Sequence, residues 1–569
     1  MRALADLEVL VVDCQATGAS PAFGHVLELG WGLVRGGEPQ LAGVEAHWIA
    51  LPEGHTVSRQ VRKLTGYESG AAAHALADAE AWRRLRAAVA QGLAVPTVIH
   101  YARFELPFLR AWSARFEPEG AFPFDAVCVH AIASRLFPEL PRQSLRALAG
   151  YLGHSLHLER RSLGHVEATA FVWRRLREAL AGRGIGTWEA LQSWLAERTP
   201  PRPRPRKPAY PIASERYRSL PDRPGVYRFL RSNGDVLYVG KAASLRKRTT
   251  SHFIGRAGKQ LAPEMLTQVS DIAITVMESA LEAALLENET IKSLKPPYNV
   301  QLTADDPRVW YSTADFSAAA AVPSPSHTVG PVASEYSLRP LGALINLMSG
   351  GAATPAVRAQ AVGVSALWPP EEAVFAAGWA ELAARHPDEL GAASHTPRAP
   401  HERVMRLAGK LLATAVPAKP DDDRDSDEVA ESAEARGWDA ARVARHLERA
   451  AAQAYRAYRR TRWLRLIQDS DIIYREPEVE SARLLRVRGG AIVEARDLLP
   501  EHGAGARLDA LIPPPGPAAS GFDRCRYDRL RILTTELKRI VRDGGHVAVF
   551  CGPGRRLPPR LLAGVLAVV

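Results

Sequence analysis

The chain has 569 residues, 46% of them hydrophobic, with a formal net charge of +11 and a pI near 9.6. That length allows three or four domains of about 150 residues each, and the basic balance points to an anionic partner such as nucleic acid. Its four cysteines (Cys14, Cys128, Cys525, Cys551) form no CxxC pair, and no apolar run approaches the length of a membrane span, so a disulfide framework, a zinc ribbon, an iron–sulfur cluster and a transmembrane protein are all disfavoured.

The start, MRALADLEVL, has no basic segment followed by an apolar stretch, so no signal peptide is expected, and the cysteine usage suits a reducing cytoplasm. Residues 1–195 alternate between strand and helix patterns. EVLVVDCQATG reads as a strand ending in a glycine turn, and HVLELGWGLV as a second strand. TVIHYARFELPFLRAW runs from strand into helix, and EATAFVWRRLREALAG is an amphipathic helix closing at Gly182. Such alternation predicts an α/β layered fold.

Residues 196–212 follow as a Pro/Arg-rich linker, where proline at alternate positions forbids a helix. A small module is expected over 213–302. It is followed by a low-complexity loop, ADFSAAAAVPSPSHT, and a mainly helical region to 468 broken by an acidic spacer at 417–432. Val443, Leu447, Ala450, Ala454 and Tyr458 keep helical spacing with arginines on the other faces, which reads as a packed face opposite a solvated one. Residues 469–569 form an α+β tail, with a hairpin turning at Gly489-Gly490, a helix and a last strand, HVAVFCG. No internal repeats are evident.

The small module holds most of the chemistry. GVYRFL and VLYVG flank Asn233-Gly234, a hairpin signal. A loop of two or four residues sets Tyr227 opposite Gly240, with Tyr238 diagonal to it on the same face. Two phenols so placed are either half-buried strand tyrosines or a pair that orders a water. Lys241 ends the second strand, and Ser244 is a good N-cap for a helix on which Arg248 and His252, four apart, share a face. Only ten of the 73 basic residues are lysine, five of them between 241 and 295. Lys241 is therefore read as a tunable ammonium. Arg246 and Lys247 are read as DNA-binding, and Lys259, Lys292 and Lys295 as surface charge. Glu287 falls on the helix SALEAALLENETIKSLK, in a stripe with Ala280, Ala283, Ala284, Ile291 and Leu294. A carboxylate there needs a cation or donors, either a salt-bridge partner or a divalent metal.

These motifs together resemble the GIY-YIG endonuclease family, most closely the N-terminal domain of UvrC and its shorter relative Cho. GVY and YVG stand for the two triplets, KAASLRKRTTSHF resembles the stretch that follows, and LEAALLENETIKSLKPPYNVQL resembles the glutamate helix and closing Tyr-Asn. The resemblance implies Tyr227 as general base, with Tyr238 and Lys241 holding it and the attacking water. It implies Arg248 as neutralising the phosphate, and Glu287 as holding one divalent cation, Mg2+ or Mn2+. Asn299 completes the site, and His252 stands where UvrC proteins usually carry tyrosine. TVGPVASEYSLRPLGALINLM resembles the Gly-Pro segment after that domain. No cysteine-rich cluster or second nuclease half follows, which brings the chain closer to Cho and implies one incision. No zinc or iron–sulfur cluster is expected.

The first 170 residues resemble DnaQ-like 3′–5′ exonucleases, which implies a ribonuclease-H-like sheet with helices on both faces. Those enzymes hold two metals with four carboxylates and activate water with a histidine or tyrosine. Here Asp13 stands in place, Gln15 replaces the second acid, and Glu105 is one methylene longer than the usual aspartate. The fourth acid falls on His165 and the catalytic histidine on Arg160; a second frame makes His165 the histidine and leaves Ala170 for the acid. Glu28 and Asp125 read as strand-end and loop residues. The exonuclease site is thus expected to be degenerate.

The expected whole is an α/β multidomain protein: a ribonuclease-H-like exonuclease fold, a small α/β GIY-YIG domain, a mainly helical region and a small α+β part. The expected activity is 3′ incision beside damage in nucleotide excision repair, with DNA and UvrA/UvrB-type proteins as partners and no membrane. The alternatives are a non-catalytic DNA- or protein-binding scaffold and an active 3′–5′ exonuclease.

Overall fold

The computed structural model describes residues 2–34, 41–89, 94–155, 160–197, 210–254, 263–299, 308–365, 368–391, 398–414, 437–477, 479–498, 522–551 and 556–557. The chain forms two compact units, Met1–Ala283 with Glu289–Thr303 and Ala304–Val569 with Ala284–Asn288. Most of the expected linker, and all of the acidic spacer, lie outside the described residues.

The first unit begins with a five-stranded sheet of β1 (Val9–Ala16), β2 (Val26–Val34), β3 (Leu41–Trp48), β4 (Val95–Ile99) and β5 (Phe124–Cys128), in the order β3-β2-β1-β4-β5. β1 runs antiparallel to β2 and parallel to β4. Its unbroken apolar run is explained by cover on both faces. Val9 and Val11 share a core with Val166, Trp173 and Leu176, whereas Leu10, Val12 and Cys14 share one with Phe108 and Leu109. The first cluster is covered by helix α3 (Ser162–Ala181) and the second by α1 (Ala102–Phe116). A short helix, α2 (Leu145–Tyr151), precedes α3. α3 starts five residues before the predicted stretch, so His165 rides on its first turn. This is the expected layered fold. Asp125 lies within β5 rather than in a loop. Its carboxylate accepts from Trp188 Nε1 at 2.8 Å and pairs with Arg2 at 3.1 Å, a structural role.

The second fold of this unit is a three-stranded antiparallel sheet, β7-β6-β8, of β6 (Gly225–Leu230), β7 (Val236–Ala242) and β8 (Asp271–Val276). β8 has no counterpart in the sequence reading. Helices α4 (Leu245–Ile254), α5 (Pro263–Leu266) and α6 (Ala280–Leu294) accompany it. The core joins Tyr227, Phe229, Leu237, Leu245, Phe253 and Ile272. Ile212 is buried in the same cluster, so the last of the residues read as linker belongs to this fold.

In the second unit a small sheet comprises β9 (Trp310–Ser312), β10 (Ala319–Ala320) and β11 (Val329–Val332). β10 corrects the reading of that stretch as loop alone. Two alanines carry no strand signal, and they pair only because Tyr311 and Ser312 offer an edge. A long helix, α7 (Ala440–Ile467), buries Val443, Leu447, Ala450 and Ala454, the stripe expected to pack. The tail is a four-stranded sheet, β14-β13-β12-β15, of β12 (Ser470–Arg475), β13 (Ala482–Arg488), β14 (Ala491–Leu498) and β15 (His546–Phe550), with helix α8 (Arg524–Arg542). Gly489 and Gly490 turn its hairpin with φ of 56° and 75°, the left-handed pair a primed turn requires. Among the described residues no helix is long and apolar enough to cross a membrane.

Candidate active site

The β6–β7 hairpin sets Tyr227 opposite Gly240 and Phe229 opposite Tyr238, the expected register. The loop differs from the expectation of two or four residues. Arg231 N–H donates to Asp235 O at 2.9 Å and Gly234 N–H to Arg231 O at 3.0 Å, which leaves three residues in the turn. A register shift beside Leu230 absorbs the odd residue, so the pairs beyond it are unchanged. Only Gly234 of the Asn-Gly pair takes positive φ, at 89°.

Tyr227 is 0% exposed, and its hydroxyl lies 2.7 Å from His252 Nε2. The ring centroids of Tyr227 and Tyr238 are 6.1 Å apart, and Phe229 lies 5.1 Å from Tyr227. Gly240 makes the arrangement possible, because a Cβ there would stand 2.4 Å from the Tyr227 hydroxyl and 2.8 Å from Tyr238 Cε1. The glycine of the second triplet is therefore the space the first tyrosine occupies.

His252 comes from α4, whose first turn is fixed by Ser244 Oγ accepting from Lys247 N–H at 3.2 Å, the cap the sequence suggested. Burial and then the Arg248 charge lower His252 to about 4, so it is neutral at physiological pH. A neutral imidazole can accept the phenol's proton in this hydrogen bond. Arg248 and Lys241 are exposed. Arg246 Nη2 lies 2.9 Å and Lys247 Nζ 3.6 Å from Asp222, and both line a shallow groove of about 480 Å³ with Arg218, Thr250 and Ser251.

Asn299 spends both ends of its amide on one residue. Its Oδ1 accepts from Val239 N–H and its Nδ2 donates to Val239 O, each at 2.9 Å. It pins β7 in the manner of an extra strand. Glu287 lies in the middle of α6, half-buried, near fully buried Ala283, Ala284 and Ile291. Leu294, expected on the same stripe, is 45% exposed because the helix ends beside it, with Lys295 left-handed at φ 45°. Among the described residues no cluster of three or more His, Cys, Asp or Glu is arranged to hold a metal ion. A single accessible carboxylate such as Glu287 fits a hard cation that draws its other ligands from water and phosphate oxygens.

In the N-terminal fold, Asp13, Glu105 and His165 do converge. His165 Nδ1 lies 3.2 Å from Asp13 Oδ1, and Glu105 Oε2 accepts from Cys14 N–H at 2.9 Å. Gln15 donates to Arg160 O at 2.7 Å, so both are tied up in joining β1 to the start of α3. Glu28 corrects the sequence reading. It is not at a strand end but inside β2, 0% exposed, bonded to Arg161 Nε and to Ser162 N–H. Arg161 also lies over the Trp48 ring at 4.2 Å. Burial and then the Asp13 charge push the Glu105 carboxyl well above the usual carboxylate range, against the Cys14 N–H bond that lowers it. Burial opposes charge on His165, but Asp13 beside it outweighs this and raises its pKa. Asp13 and Glu28 thus each meet a basic side chain, and Glu105 meets a backbone donor.

Acid should unfold this unit by a predictable route. His100 is 6% exposed and lowered to about 3, mainly by burial; His252 is lowered to about 4. Both are neutral when folded, whereas an unfolded histidine takes up a proton near pH 6.5. The unfolded state therefore binds more protons below pH 6.5, and stability is lost as pH falls toward about 4, by about 3 kcal/mol for His252 alone. Denaturant midpoints at pH 7 and 4.5 should fall steeply in wild type and less in His252→Gln; equal slopes would remove the assignment.

Residues 223–300 match the UvrC-like GIY-YIG domain family. The UvrABC system protein C of Alkalilimnicola ehrlichii is 50% identical over 93 residues, 16% of this chain and 15% of its own length. A Mycobacterium tuberculosis protein described as a bifunctional exonuclease/endonuclease is 30% identical over 259 residues, 44% of this chain and 39% of its own. Among solved structures, the GIY-YIG N-terminal endonuclease domain of Thermotoga maritima UvrC with magnesium is 29% identical, over 15% of this chain and 93% of that one, with a TM-score of 0.14. The chain thus spans well under two thirds of the length of these curated relatives. Residues 223–300 form a UvrC-like GIY-YIG domain, joined in one chain to the five-stranded α/β fold that precedes it.

Proposed function

We propose that this chain is a divalent-metal-dependent DNA endonuclease that hydrolyses a phosphodiester beside damage in nucleotide excision repair, on the 3′ side, after UvrA/UvrB-type proteins have marked the lesion. The observation that carries this reading is the buried Tyr227–His252 hydrogen bond beneath Gly240, inside a UvrC-like GIY-YIG domain. Tyr227, with His252 accepting from it, takes a proton from the attacking water. Tyr238 and Lys241 hold that water against the phosphate. Arg248 offsets the charge that grows as phosphorus becomes five-coordinate. Glu287 is the carboxylate that would hold the cation, which when bound polarises the phosphate and stabilises the leaving oxygen. Arg246 and Lys247 bind the flanking backbone, and Asn299 positions β7.

The N-terminal fold is read as catalytically silent. Two magnesium ions bring four positive charges, and here Asp13 is paired with His165, Glu28 with Arg161, Gln15 stands in place of an acid, and Glu105 is buried with its carboxyl accepting from Cys14 N–H. A duplex carrying a bulky adduct, incubated with UvrA, UvrB, ATP and Mg2+, tests both readings. A discrete nick 3′ of the adduct is expected from wild type, lost with chelator and retained in Asp13→Ala. No nick with any divalent metal would favour a non-catalytic scaffold. A ladder from the 3′ end that requires Asp13 would make the N-terminal fold an exonuclease.

A further inference from the structure

The N-terminal fold and the GIY-YIG domain belong to one compact unit, joined by polar contacts at two points and by close packing at a third. At the first, Glu264 on α5 accepts from Ser144 Oγ at 2.9 Å and lies 3.7 Å from Arg146 Nη1. At the second, α2 packs on Gln268. A Cβ on Gly150 would stand 1.9 Å from Gln268 Oε1. At the third, the β6–β7 turn is held, with Asn233 Nδ2 donating to Gly153 O at 3.2 Å and Ser155 Oγ donating to Asp235.

These points are linked through the buried side of the nuclease domain. Tyr298 donates its hydroxyl to Glu264 Oε1 at 3.1 Å and accepts from Gln268 Nε2 at 2.7 Å. Gln268 Oε1 accepts from Arg231 Nε at 3.2 Å and Nη2 at 3.0 Å. Gln268 is 2% and Arg231 4% exposed, so the bonds to Gln268 satisfy polar groups that are shielded from water. Burial and then Glu264 hold the Tyr298 phenol protonated, which keeps it a donor. Gln268 is held at both ends of its amide and cannot swing aside to admit a methyl at Gly150. One residue beyond Tyr298 is Asn299, whose amide spans Val239 between Tyr238 and Gly240. The network therefore runs from the N-terminal fold to the strand that builds the tyrosine site.

We propose that the N-terminal fold is the rigid frame of the nuclease site, and that Glu264, Gln268 and Tyr298 are positioning residues that carry this frame to Asn299 and β7. The frame stands on geometry alone; only its effect on cutting rests on the proposed endonuclease activity. The test uses the full chain as wild type, Gly150→Ala and Tyr298→Phe. Amide hydrogen exchange is read at Val239, and nicking is resolved into kcat and KM. Exchange at Val239 should rise by roughly tenfold or more in both variants while β2 amides keep their protection. The kcat should fall roughly tenfold to a hundredfold with KM for DNA unchanged, the pattern of a displaced catalytic group. If Gly150→Ala misfolds by circular dichroism, Tyr298→Phe, which removes one hydroxyl, decides. Unchanged exchange at Val239 overturns the frame whatever the activity. Raised exchange with unchanged kcat overturns the positioning role. A wild type that cuts no DNA, with exchange at Val239 still raised in the variants, keeps the frame and removes the endonuclease reading.

Discussion

Glu287→Ala is expected to lower nicking by about three orders of magnitude or more, with no loss of thermal stability. That rate loss is equivalent to about 4 kcal/mol of transition-state stabilisation, within the several kcal/mol that a cation on a phosphoryl oxygen supplies. The stability half of the expectation follows from the helix. α6 is capped by Ser279, whose Oγ accepts from Glu282 N–H at 3.1 Å, so its start does not depend on Glu287. Alanine has the best helix propensity, and Ala283, Ala284 and Ile291 already line this face. The substitution therefore costs the helix nothing in propensity, and the melting temperature should stay level. The check is nicking of a labelled duplex in Mg2+ beside a thermal melt and DNA-binding anisotropy. Nicking at the wild-type rate would remove Glu287 from the site. A drop in melting temperature with the loss of activity would make it a structural ion-pair residue.

Local pattern made much of this legible in the sequence. The Asn233-Gly234 hairpin signal with an even loop set Tyr227 against Gly240; the turn holds an odd number of residues, and the register stands because a bulge that the sequence hides absorbs the extra one. The Ser244 cap and the Val443-to-Ala454 stripe were equally plain, since each depends on residues three or four apart. What stayed hidden depends on distant partners. β8 is a short strand with no hairpin signal, recognisable only because β6 needs a second neighbour. Glu28 is an ordinary strand residue until Arg161, 133 positions away, arrives to neutralise it. Gln268 carries no motif, and its significance exists only where Gly150 of the preceding fold meets it.

Tyr227→Phe should reduce nicking by about two to four orders of magnitude, the usual range for loss of a general base. The substitution removes one oxygen from a ring that is 0% exposed and packed against Phe229 and Tyr238, so the core should refill without rearrangement. The hydrogen bond lost is the one to His252 Nε2 at 2.7 Å, and a buried imidazole left without it costs about 1–3 kcal/mol. Stability and activity therefore move by different amounts, and His252→Asn separates them: it should cost stability like Tyr227→Phe yet keep more activity, because the phenol remains to take the water's proton. Gly240→Ala approaches the same group from the other strand. Its methyl would stand 2.4 Å from the Tyr227 hydroxyl, and the tyrosine is walled in by Phe229 and His252. The ring must turn or the strands must part, at about 1–3 kcal/mol for an overpacked core. Either response moves the oxygen away from the place where it would take the water's proton, so Gly240→Ala should match Tyr227→Phe in rate loss while retaining every side chain of the proposed site. Nicking rates and denaturant midpoints for the three variants decide the matter. Wild-type nicking in Tyr227→Phe would strip the phenol of its part, and wild-type nicking in Gly240→Ala would mean that the site tolerates a displaced tyrosine.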